Sequence, residues 1–413
     1  MRIRYSTEKN GKPVKKAIVY TREEHGINFN DVDTEAVEII ERLRAAGYET
    51  YIVGGAVRDL ILGKKPKDFD IVTAASPSRI KKIFRNARII GHRFRLVHVY
   101  YGPKIFEVST FRSLKDGPTS NTYGTIEEDV MRRDFSLNAL FYDPGKQIVV
   151  DYVGGMKDIR EKRIRPIIPL STIFKDDPVR MIRAVKYGTI AGFSLPLLLR
   201  WKIKGESRLL TSVSPSRLTE ELLKIIHSPA AARIVENLEA HGLYEYLQPG
   251  ASKLLKENSG FRDRYIKSLG AINQPGFTGV PGEALAAFIR DFLEDYIDWE
   301  GGGIAENYKN AFLAARQFVL PMNPPRAELD HGVRLIFADH GITIKKSRFS
   351  ERGGRPSHPP VRQGSPGREG GEGVLSEGEG AAKRHHRPRR HKKNPAPANP
   401  GAPPPQNGGG EPR

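Results

Sequence analysis

The chain has 413 residues, no cysteine and a formal net charge of +19. This length allows two or three domains with substantial cores, and the lack of cysteine excludes disulfides, thiolate zinc sites and cysteine nucleophiles. The charge predicts a polyanionic partner. RNA or DNA is favoured over a membrane, and the longest apolar runs, such as Phe193–Leu199, are too short to span a bilayer.

Residues 1–32 form a polar, basic arm in this interpretation. The arm lacks the apolar core of a secretory signal, so we expect a cytoplasmic protein. Asp33 then has the chemistry of a helix N-cap, and Gly47 ends the helix that it begins. The apolar residues of that helix recur at helical spacing, at Val37, Ile40 and Leu43.

The stretch "VGGAVRDLILGKKPKDFDIVT", Val53–Thr73, joins a strand, a short helix and a second strand. The helix begins at Gly54 and Gly55, where unpaired backbone N–H groups and a positive dipole end can bind phosphate. Alternation in the second strand places Asp68 and Asp70 on the face opposite the apolar residues. Two adjacent carboxylates of this kind can bind Mg²⁺ ions that serve nucleotidyl transfer from a nucleoside triphosphate. The alternative is a glycine-rich turn followed by two solvated aspartates.

The rest of the first domain contains a further helix and two strands. Ser76 and Pro77 have N-cap and first-turn chemistry for a helix that reaches about Phe84. The runs "RLVHVYYG" and "KIFEVSTFR" predict two strands, and Glu107 in the second is either an additional catalytic carboxylate or an exposed strand residue. Residues 33–170 therefore predict an α+β head with a small mixed sheet.

From about Ser171 the chain shows helical periods, which predict a helical neck over residues 171–240 and a helical body over 241–350. Residues 351–413 contain no Phe, Tyr or Trp, and 25 of the 63 are Gly or Pro, which predicts a disordered tail. Within this tail Lys383–Lys393 contains seven Lys or Arg and three His. Such a cluster is suited to holding RNA through its phosphates, although it could simply be a solvated or protein-docking segment.

Four ordered motifs resemble those of the class II nucleotidyltransferases, the family of bacterial poly(A) polymerases and CCA-adding tRNA nucleotidyltransferases. The resemblance covers about residues 15–245. The motifs are "VGGAVRDLILGKKPKDFD" in the opening stretch, "RRDFSLNALFYD" (Arg132–Asp143), "DYVGGMKDI" (Asp151–Ile159) and "DDPVRMIRAVKYG" (Asp176–Gly188).

The resemblance implies a role for each matching residue. Asp68 and Asp70 would bind the catalytic Mg²⁺, and Gly54, Gly55 and Arg58 would contact the triphosphate. Arg133 and Asp134 would complete the nucleotide site, with Asn138 near the ribose. We expect Asp134 and Asn138, four residues apart, to share one face of a helix, although an ordinary helix-start cap is the alternative.

Asp177 and Arg180 offer a way to choose a base without a template. A carboxylate accepts from an amino group and a guanidinium donates to a ring nitrogen, a pairing that suits adenine and cytosine but not guanine or uracil. The alternative is a capping aspartate beside a surface ion pair. Arg183 and Lys186 extend the basic stripe toward the triphosphate or primer. The family commonly has Glu at the position of Asp176 and Arg at that of Lys186, which leaves the role of Lys186 open.

These features predict a template-independent RNA adenylyltransferase that adds AMP from ATP to RNA 3′ ends, with RNA-decay or RNA-chaperone proteins as further partners and no membrane. Ile89–Arg112 resembles the bacterial poly(A) polymerase branch, with His92 where a basic residue is usual. His92 and His98 are interpreted as packing or RNA-contact residues rather than metal ligands. A CCA-adding enzyme is the alternative within the family, and a non-catalytic RNA-binding protein is the alternative from another class.

Overall fold

A nine-stranded mixed sheet forms the first part of the computed structural model, counted over the described residues, which are 2–7, 13–91, 95–113, 122–272 and 280–344. Its strands follow the order β1-β2-β9-β8-β3-β4-β7-β6-β5. The strands are β1 Arg2–Thr7, β2 Pro13–Tyr20, β3 Thr50–Val53, β4 Asp70–Thr73, β5 Ala87–Ile90, β6 Leu96–Tyr101, β7 Lys104–Thr110, β8 Leu140–Asp143 and β9 Ile148–Asp151.

Helices pack on this sheet and then form the remainder of the described chain, so the predicted α+β class is confirmed. Those of the first part are α1 Arg22–His25, α2 Thr34–Ala45, α3 Gly55–Ile61, α4 Pro77–Ile83, α5 Ile126–Met131 and α6 Gly155–Arg160. Those that follow are α7 Ile173–Asp176, α8 Val179–Ala191, α9 Leu197–Glu206, α10 Pro215–Ile226, α11 Ala231–Ala240, α12 Tyr244–Leu247, α13 Pro249–Glu257, α14 Ser259–Ala271, α15 Pro281–Tyr296, α16 Ile304–Phe318 and α17 Arg326–Asp339. Short 3-10 helices cover Phe29–Asp31, Ser136–Asn138 and Ser207–Ser212.

The local signals for helix starts predict the observed elements well. Asp33 caps α2 by accepting from the backbone N–H groups of Glu35 and Ala36, as predicted. Helix α3 begins at Gly55, directly after Gly54, and α4 begins at Pro77 after Ser76. These predictions hold because caps and first turns depend on residues within one turn of each other.

The described part of residues 1–32 is not an arm outside the fold. Strand β1 pairs with β2, and β2 pairs antiparallel with β9, where Ile18 lies opposite Asp151. Alternate residues of β2, including Ala17 and Val19, are buried. Because the segment is basic, this short alternation is hard to recognise in the sequence. The N-terminal strands therefore make the sheet larger than the sequence predicts.

The centre of the sheet sets the geometry of the acidic residues. Strand β3 pairs antiparallel with both β4 and β8, and β4 pairs parallel with β7. In this parallel pair Ile71 lies opposite Val108, which brings the preceding residues, Asp70 and Glu107, side by side at the start of the shared register. Carboxylates from two strands are therefore placed next to each other by the pairing.

Both faces of the sheet are covered by apolar side chains. The larger core runs from the helices of the first part into the later helices without interruption. A smaller cluster lies on the other face and includes Tyr51, Val53, Phe141 and Val150.

The described residues fall within one compact unit, Met1–Glu351, and the predicted boundaries near residues 33, 171 and 241 stay predictions. The predicted tail, with Lys383–Lys393, lies outside the described residues, as does His92. No helix in the described ranges combines the length and the apolar character needed to cross a bilayer.

Helix α6 holds the turn that carries Asp134 and Asn138. Ser136 in this turn donates a 2.6 Å hydrogen bond to the buried Asp158 of α6. At the start of α6, a Cβ on Gly155 would lie 2.3 Å from the carbonyl oxygen of Ser136. The absence of a side chain at position 155 therefore lets α6 approach the turn closely.

We expect Gly155→Ala to destabilise the protein by about 1–3 kcal/mol, because the added methyl group overlaps a backbone oxygen that cannot rotate away. Gly205→Ala is the matched control, since a Cβ there meets nothing within 4 Å and α9 would gain up to about 1 kcal/mol of helix propensity. Urea denaturation of both variants measures the difference. Equal stability of the two proteins would show that the turn is not held by this contact.

Candidate active site

A cavity of about 660 Å³ opens between the sheet and α8. Of the residues that the structure describes, seven arginines and five aspartates line this cavity. Most of the predicted site residues also line the cavity. The lining residues are Gly54, Gly55, Arg58, Asp70, Ser109, Arg112, Asp129, Arg132, Arg133, Asp134, Asn138, Asp176, Asp177, Arg180, Arg183, Tyr187 and Arg217. The excess of arginine makes the cavity suited to an anionic ligand.

Gly54 and Asp70 are in close contact at the wall formed by the sheet. The φ angle of Gly54 is +73°, in the region that favours glycine. A Cβ on this residue would lie 3.5 Å from one carboxylate oxygen of Asp70. The glycine thus gives the turn its shape and leaves the space beside Asp70 open.

The predicted alternation of Asp68 and Asp70 with buried residues is confirmed. Asp68 and Asp70 are exposed, whereas Phe69 and Ile71 are buried. Asp70 is the first residue of β4, and Asp68 lies two residues before the strand, outside the cavity lining. The pair therefore spans the rim of the cavity.

The carboxyl group of Asp70 has a pKa raised to about 6. Although Asp70 is open to the cavity, the protein atoms around its carboxylate desolvate it. The negative charges of Glu107 and Asp68 add to this effect, and Arg133 and Lys224 oppose it. Among the described residues, none donates a hydrogen bond to this carboxylate. This concentration of carboxylate oxygens, whose charge Arg133 and Lys224 offset only in part, is suited to a hard cation such as Mg²⁺.

Glu107 contributes charge from outside the cavity lining. Its carboxylate lies 3.5 Å from Nε2 of His98, the residue opposite it on β6, and the side chain is largely exposed. In the described ranges no group of three or more His, Asp or Glu side chains is arranged as a metal site. A Mg²⁺ site with two protein carboxylates is nevertheless common, because substrate phosphates and water supply the remaining ligands.

Arg58 and Asn138 hold each other next to the glycine turn. The buried Arg58 guanidinium donates to Asn138 Oδ1 and to Asp59 Oδ1, each at 2.9 Å. The prediction that Asp134 and Asn138 share a helix face is wrong, because only Ser136–Asn138 is helical, as a single 3-10 turn, and Asp134 precedes it. Both side chains still reach the cavity, since the tight turn directs them there.

Arg133 lines the cavity, and neighbouring residues hold its guanidinium against the wall. It donates to Asp129 Oδ2 from Nε at 3.0 Å and from Nη2 at 2.8 Å, and to the Asn138 carbonyl oxygen at 3.3 Å. Its guanidinium carbon lies 5.2 Å from the centre of the Phe141 ring. These contacts fix the arginine at the wall that also carries Asp70.

A chain of ionic contacts crosses from the sheet to the helices, and we call it the Asp134–Glu221 chain. Asp134 accepts from Arg180 Nε at 2.8 Å and from Arg183 Nη1 at 3.0 Å. Arg183 Nε then donates to Glu221 on α10 at 2.8 Å, and Lys186 donates to the same carboxylate at 2.5 Å. Asp134 thus orients both arginines of α8 that line the cavity.

Lys186 acts within this chain and does not line the cavity. Glu221 and Lys186 are both buried. Burial opposes ionisation of Glu221, but the positive charges of Lys186 and Arg183 outweigh this effect and lower the pKa of Glu221 to about 2. Burial lowers the pKa of Lys186, which shares the Glu221 carboxylate with Arg183. Ionised Glu221 therefore contributes stability above its ordinary pKa of 4.5, and this contribution is lost as the pH falls toward 2.

Asp177 and Arg180 both line the cavity, and each is held by a residue from another element. Arg217 Nη2, at the start of α10, donates to both oxygens of Asp177 at 2.9 Å. Asp177 also accepts from the backbone N–H of Val179 at 3.2 Å, as a helix cap would. Arg180 is buried and bonded to Asp134, so a guanidinium and a carboxylate face the same space from fixed positions.

Arg217 and Glu221 are not predicted from the sequence. Four residues apart, they lie beside the apolar stripe of α10 that contains Leu218 and Leu222. Charged residues beside such a stripe suggest ion pairs with another element. Their partners lie 38–40 residues away, Arg183 on α8 for Glu221 and Asp177 just before α8 for Arg217.

Known proteins resemble this chain in sequence and in fold. Residues 50–165 match the family model of the poly A polymerase head domain, and residues 192–255 match that of the probable RNA and SrmB-binding site of polymerase A. Poly(A) polymerase I of Salmonella typhi is 41% identical over 256 residues, which cover 58% of this chain and 55% of the relative. The CCA-adding enzyme of Geobacillus stearothermophilus is 37% identical over 236 residues, covering 55% and 58%.

The chain therefore spans about half the length of the curated relatives it matches. Among solved structures, the CCA-adding enzyme of Bacillus stearothermophilus in complex with CTP aligns with a TM-score of 0.51 and 28% identity, covering 79% of this chain and 88% of that one. The predicted resemblance to the class II nucleotidyltransferases is confirmed, and it extends to poly(A) polymerases and CCA-adding enzymes alike.

We expect Lys186→Met to lower the free energy of unfolding by about 3 kcal/mol, because Glu221 would keep a buried charge with one partner removed. Methionine conserves most of the side-chain volume, so the loss reports charge rather than packing. Lys224→Met, on the exposed face of α10, removes an i,i+4 pair with Glu220 and should cost less than about 0.5 kcal/mol. Urea denaturation at neutral pH compares them, and equal losses would mean that the buried pair adds nothing to stability.

Proposed function

We propose, from the resemblance to the class II nucleotidyltransferases, that this chain is a template-independent RNA adenylyltransferase that transfers AMP from ATP to RNA 3′ ends. The observation that supports this most directly is the cavity itself. It brings Asp70 and the Gly54–Gly55 turn to the same wall and places Asp177 and Arg180 within the same lining. A triphosphate and a base would therefore both be bound within one enclosure.

Asp68 and Asp70 are the residues that would hold Mg²⁺. When bound there, Mg²⁺ would neutralise phosphate charge and favour the ionised form of the attacking hydroxyl. Glu107, next to Asp70 in the register, adds negative charge to the same region. The donor set fits, because it consists of carboxylate oxygens and no described residue donates a hydrogen bond to Asp70.

The side chains of this protein position the reacting groups. The Gly54–Gly55 turn lets the triphosphate approach the backbone at the start of α3, and Arg58 and Arg133 supply positive charge at the same wall. The 3′ oxygen of the RNA bonds to the α-phosphorus while the bond to the pyrophosphate oxygen breaks, and the hydroxyl proton passes to water. Positioning and charge stabilisation supply most of the catalysis in transfers of this type.

Base choice is proposed to rest on Asp177 and Arg180. The Asp177 carboxylate would accept from the exocyclic amino group, and Arg180 would donate to the adjacent ring nitrogen. Arg217 and Asp134 hold these two groups in place, so a guanine or uracil would face fixed partners of the wrong kind. Leaving such groups unpaired in an enclosed site is costly.

The same pair of contacts accepts cytosine, so CCA addition is the second candidate. Its support is the alignment with the CTP complex of a CCA-adding enzyme and the 37% identity to such an enzyme. Support for addition of AMP alone comes from the 41% identity to poly(A) polymerase I and from the resemblance of Ile89–Arg112 to that branch.

One assay separates the candidates. Purified protein receives each nucleoside triphosphate separately, with an unstructured RNA and with a tRNA that lacks its CCA end. Extension of both RNAs with ATP alone supports the adenylyltransferase, whereas CTP use confined to the tRNA indicates CCA addition. RNA binding without any transfer would identify a non-catalytic RNA-binding protein.

Asp70→Asn should abolish transfer while RNA affinity and stability stay near those of the parent. The substitution removes a charge that acts on the transition state, so kcat falls rather than RNA binding. Glu220→Gln, an exposed carboxylate on α10, serves as the control and should leave kcat unchanged. Activity of the Asp70 variant within tenfold of the parent would rule out this role.

Asp177→Ala should relax the preference of ATP over UTP by about 1–3 kcal/mol, because the acceptor for the amino group is lost. Asp177→Ser provides the matched variant, since a serine hydroxyl can still cap the N–H of Val179 but carries no carboxylate. Ratios of kcat/KM for the two nucleotides measure the effect. If the serine variant retains the preference of the parent, Asp177 is only a helix cap.

A further inference from the structure

The sheet presents an accessible face beside Asp70, over strands β5, β6 and β7. On the other face of these strands, Val97 and Val99 of β6 belong to the larger core. The smaller apolar cluster lies on the side of Asp70 and includes Val72 of β4, but none of its members belongs to β5, β6 or β7. Ile105 of β7, on this side, is 51% exposed. This part of the sheet can therefore be reached by another molecule.

Strand pairing aligns four side chains in one row across this face. Asp70 and Glu107 lie side by side, and His98 is opposite Glu107. Arg88 is in turn opposite His98. Neighbouring strands are about 4.8 Å apart, so the row extends about 14 Å from Asp70 to Arg88. Tyr100 lies on the same face as His98, and the guanidinium carbon of Arg88 is 5.9 Å from the centre of the Tyr100 ring. We call the surface formed by Arg88, His98, Tyr100 and Ile105 the β5–β7 face.

The chain that builds this face is strongly basic. Residues 71–106 contain eight Lys or Arg and no Asp or Glu. Arg88 is exposed and forms no ion pair with another described residue. Glu107, at the border toward Asp70, lies 3.5 Å from Nε2 of His98. Charge along the row therefore changes from negative at Asp70 and Glu107 to positive at Arg88, which suits a molecule that brings a hydroxyl to one end and a phosphate to the other.

The strand order places the β5–β7 face on the side from which a nucleophile would arrive. The Gly54–Gly55 turn follows β3, Asp70 begins β4, and Glu107 lies on β7. These strands are neighbours in the order β3-β4-β7, so the proposed triphosphate site and the β5–β7 face lie on opposite sides of Asp70. In an in-line transfer, the attacking and leaving oxygens are on opposite sides of the phosphorus. A triphosphate held at the glycine turn would therefore be attacked from the side of β7.

We propose that the β5–β7 face holds the 3′ segment of the RNA that is extended, with a base stacked on Tyr100 and a phosphate bound by Arg88. Proteins that hold single strands combine aromatic side chains for the bases with cations along the backbone, and sheet faces serve this purpose. A protein strand would instead pair with the outer edge of β5 through its backbone. The face lies within residues 50–165, outside the segment 192–255 that matches the RNA-binding family model. Its assignment to the extended 3′ end rests on the proposed function, whereas RNA binding by the face does not.

Binding of a labelled oligo(A) RNA to the full chain, measured by fluorescence anisotropy, tests the charge first. Arg88→Ala should weaken the affinity and flatten the slope of log K against log salt by about 0.7, the contribution of one phosphate contact. Because Arg88 is exposed, we expect this variant to fold. Lys82→Ala is the matched control, since Lys82 is an exposed cation on α4, which packs on the other face of the sheet through Ile80. The control should leave the affinity near that of the parent.

Stacking is tested separately at Tyr100. Tyr100→Ala should weaken RNA affinity about fivefold or more, while Tyr100→Phe should retain most of it, because a phenyl ring still offers a face to a base. Urea denaturation checks that both variants fold. An RNA with an abasic nucleotide near its 3′ end locates the stacked base: at the right position, the abasic change and Tyr100→Ala should not add. Full additivity at every position near the 3′ end would contradict stacking of this segment on Tyr100.

The outcomes separate this proposal from the proposed function. Unchanged RNA affinity of both Arg88→Ala and Tyr100→Ala would overturn the face as an RNA site, whatever the transfer assay shows, and so would an equal loss with Lys82→Ala. Weaker binding by both variants supports the face even if the parent transfers no nucleotide, in which case the proposed function alone fails. If the parent is active, Arg88→Ala should raise the KM for RNA more than the KM for ATP, because the two substrates lie on opposite sides of Asp70.

Discussion

The geometry of the cavity depends on one carboxylate, Asp134, which binds two arginines of the same helix. Arg180 and Arg183 are three residues apart on α8, and Asp134 binds each with a different oxygen. Because Asp134 lies on a turn of the sheet part, this contact fixes where α8 stands relative to the glycine turn and Asp70. The wall that carries Arg180 and the wall that carries the glycine turn are therefore joined through this carboxylate, and the bond from Lys64 to the Ile190 carbonyl of α8 adds a second connection.

Charge in the cavity is organised so that most arginines have a carboxylate partner of their own. Arg133 pairs with Asp129, Arg217 with Asp177, and Arg183 with both Asp134 and Glu221. Asp70 differs, because no described residue donates to its carboxylate, and desolvation together with the nearby Glu107 and Asp68 raises its pKa. Paired arginines are preorganised and lose little freedom when an anion binds, while the unpaired carboxylate marks the position suited to a cation.

The helices after the sheet hold one side of the cavity in place. Helix α8 presents Arg180 to the cavity. Lys186 and Glu221 join α8 to α10 through a buried ion pair, so the helix that carries Arg180 is held from the sheet part and from its helical neighbour. Such double attachment limits how far Arg180 can move.

Local sequence is enough to predict the features that depend on near neighbours along the chain: the cap at Asp33, the glycine start of α3, and the alternation that exposes Asp68 and Asp70. These follow from backbone chemistry within one helical turn or one strand. Three features come from the tertiary structure alone: the N-terminal strands join the sheet, Asp134 precedes a 3-10 turn, and Arg217 and Glu221 hold side chains that line the cavity. Each of these depends on partners distant in sequence. Ion pairs and strand pairings form between surfaces that the folded chain brings together, and local periodicity does not show which surfaces those are.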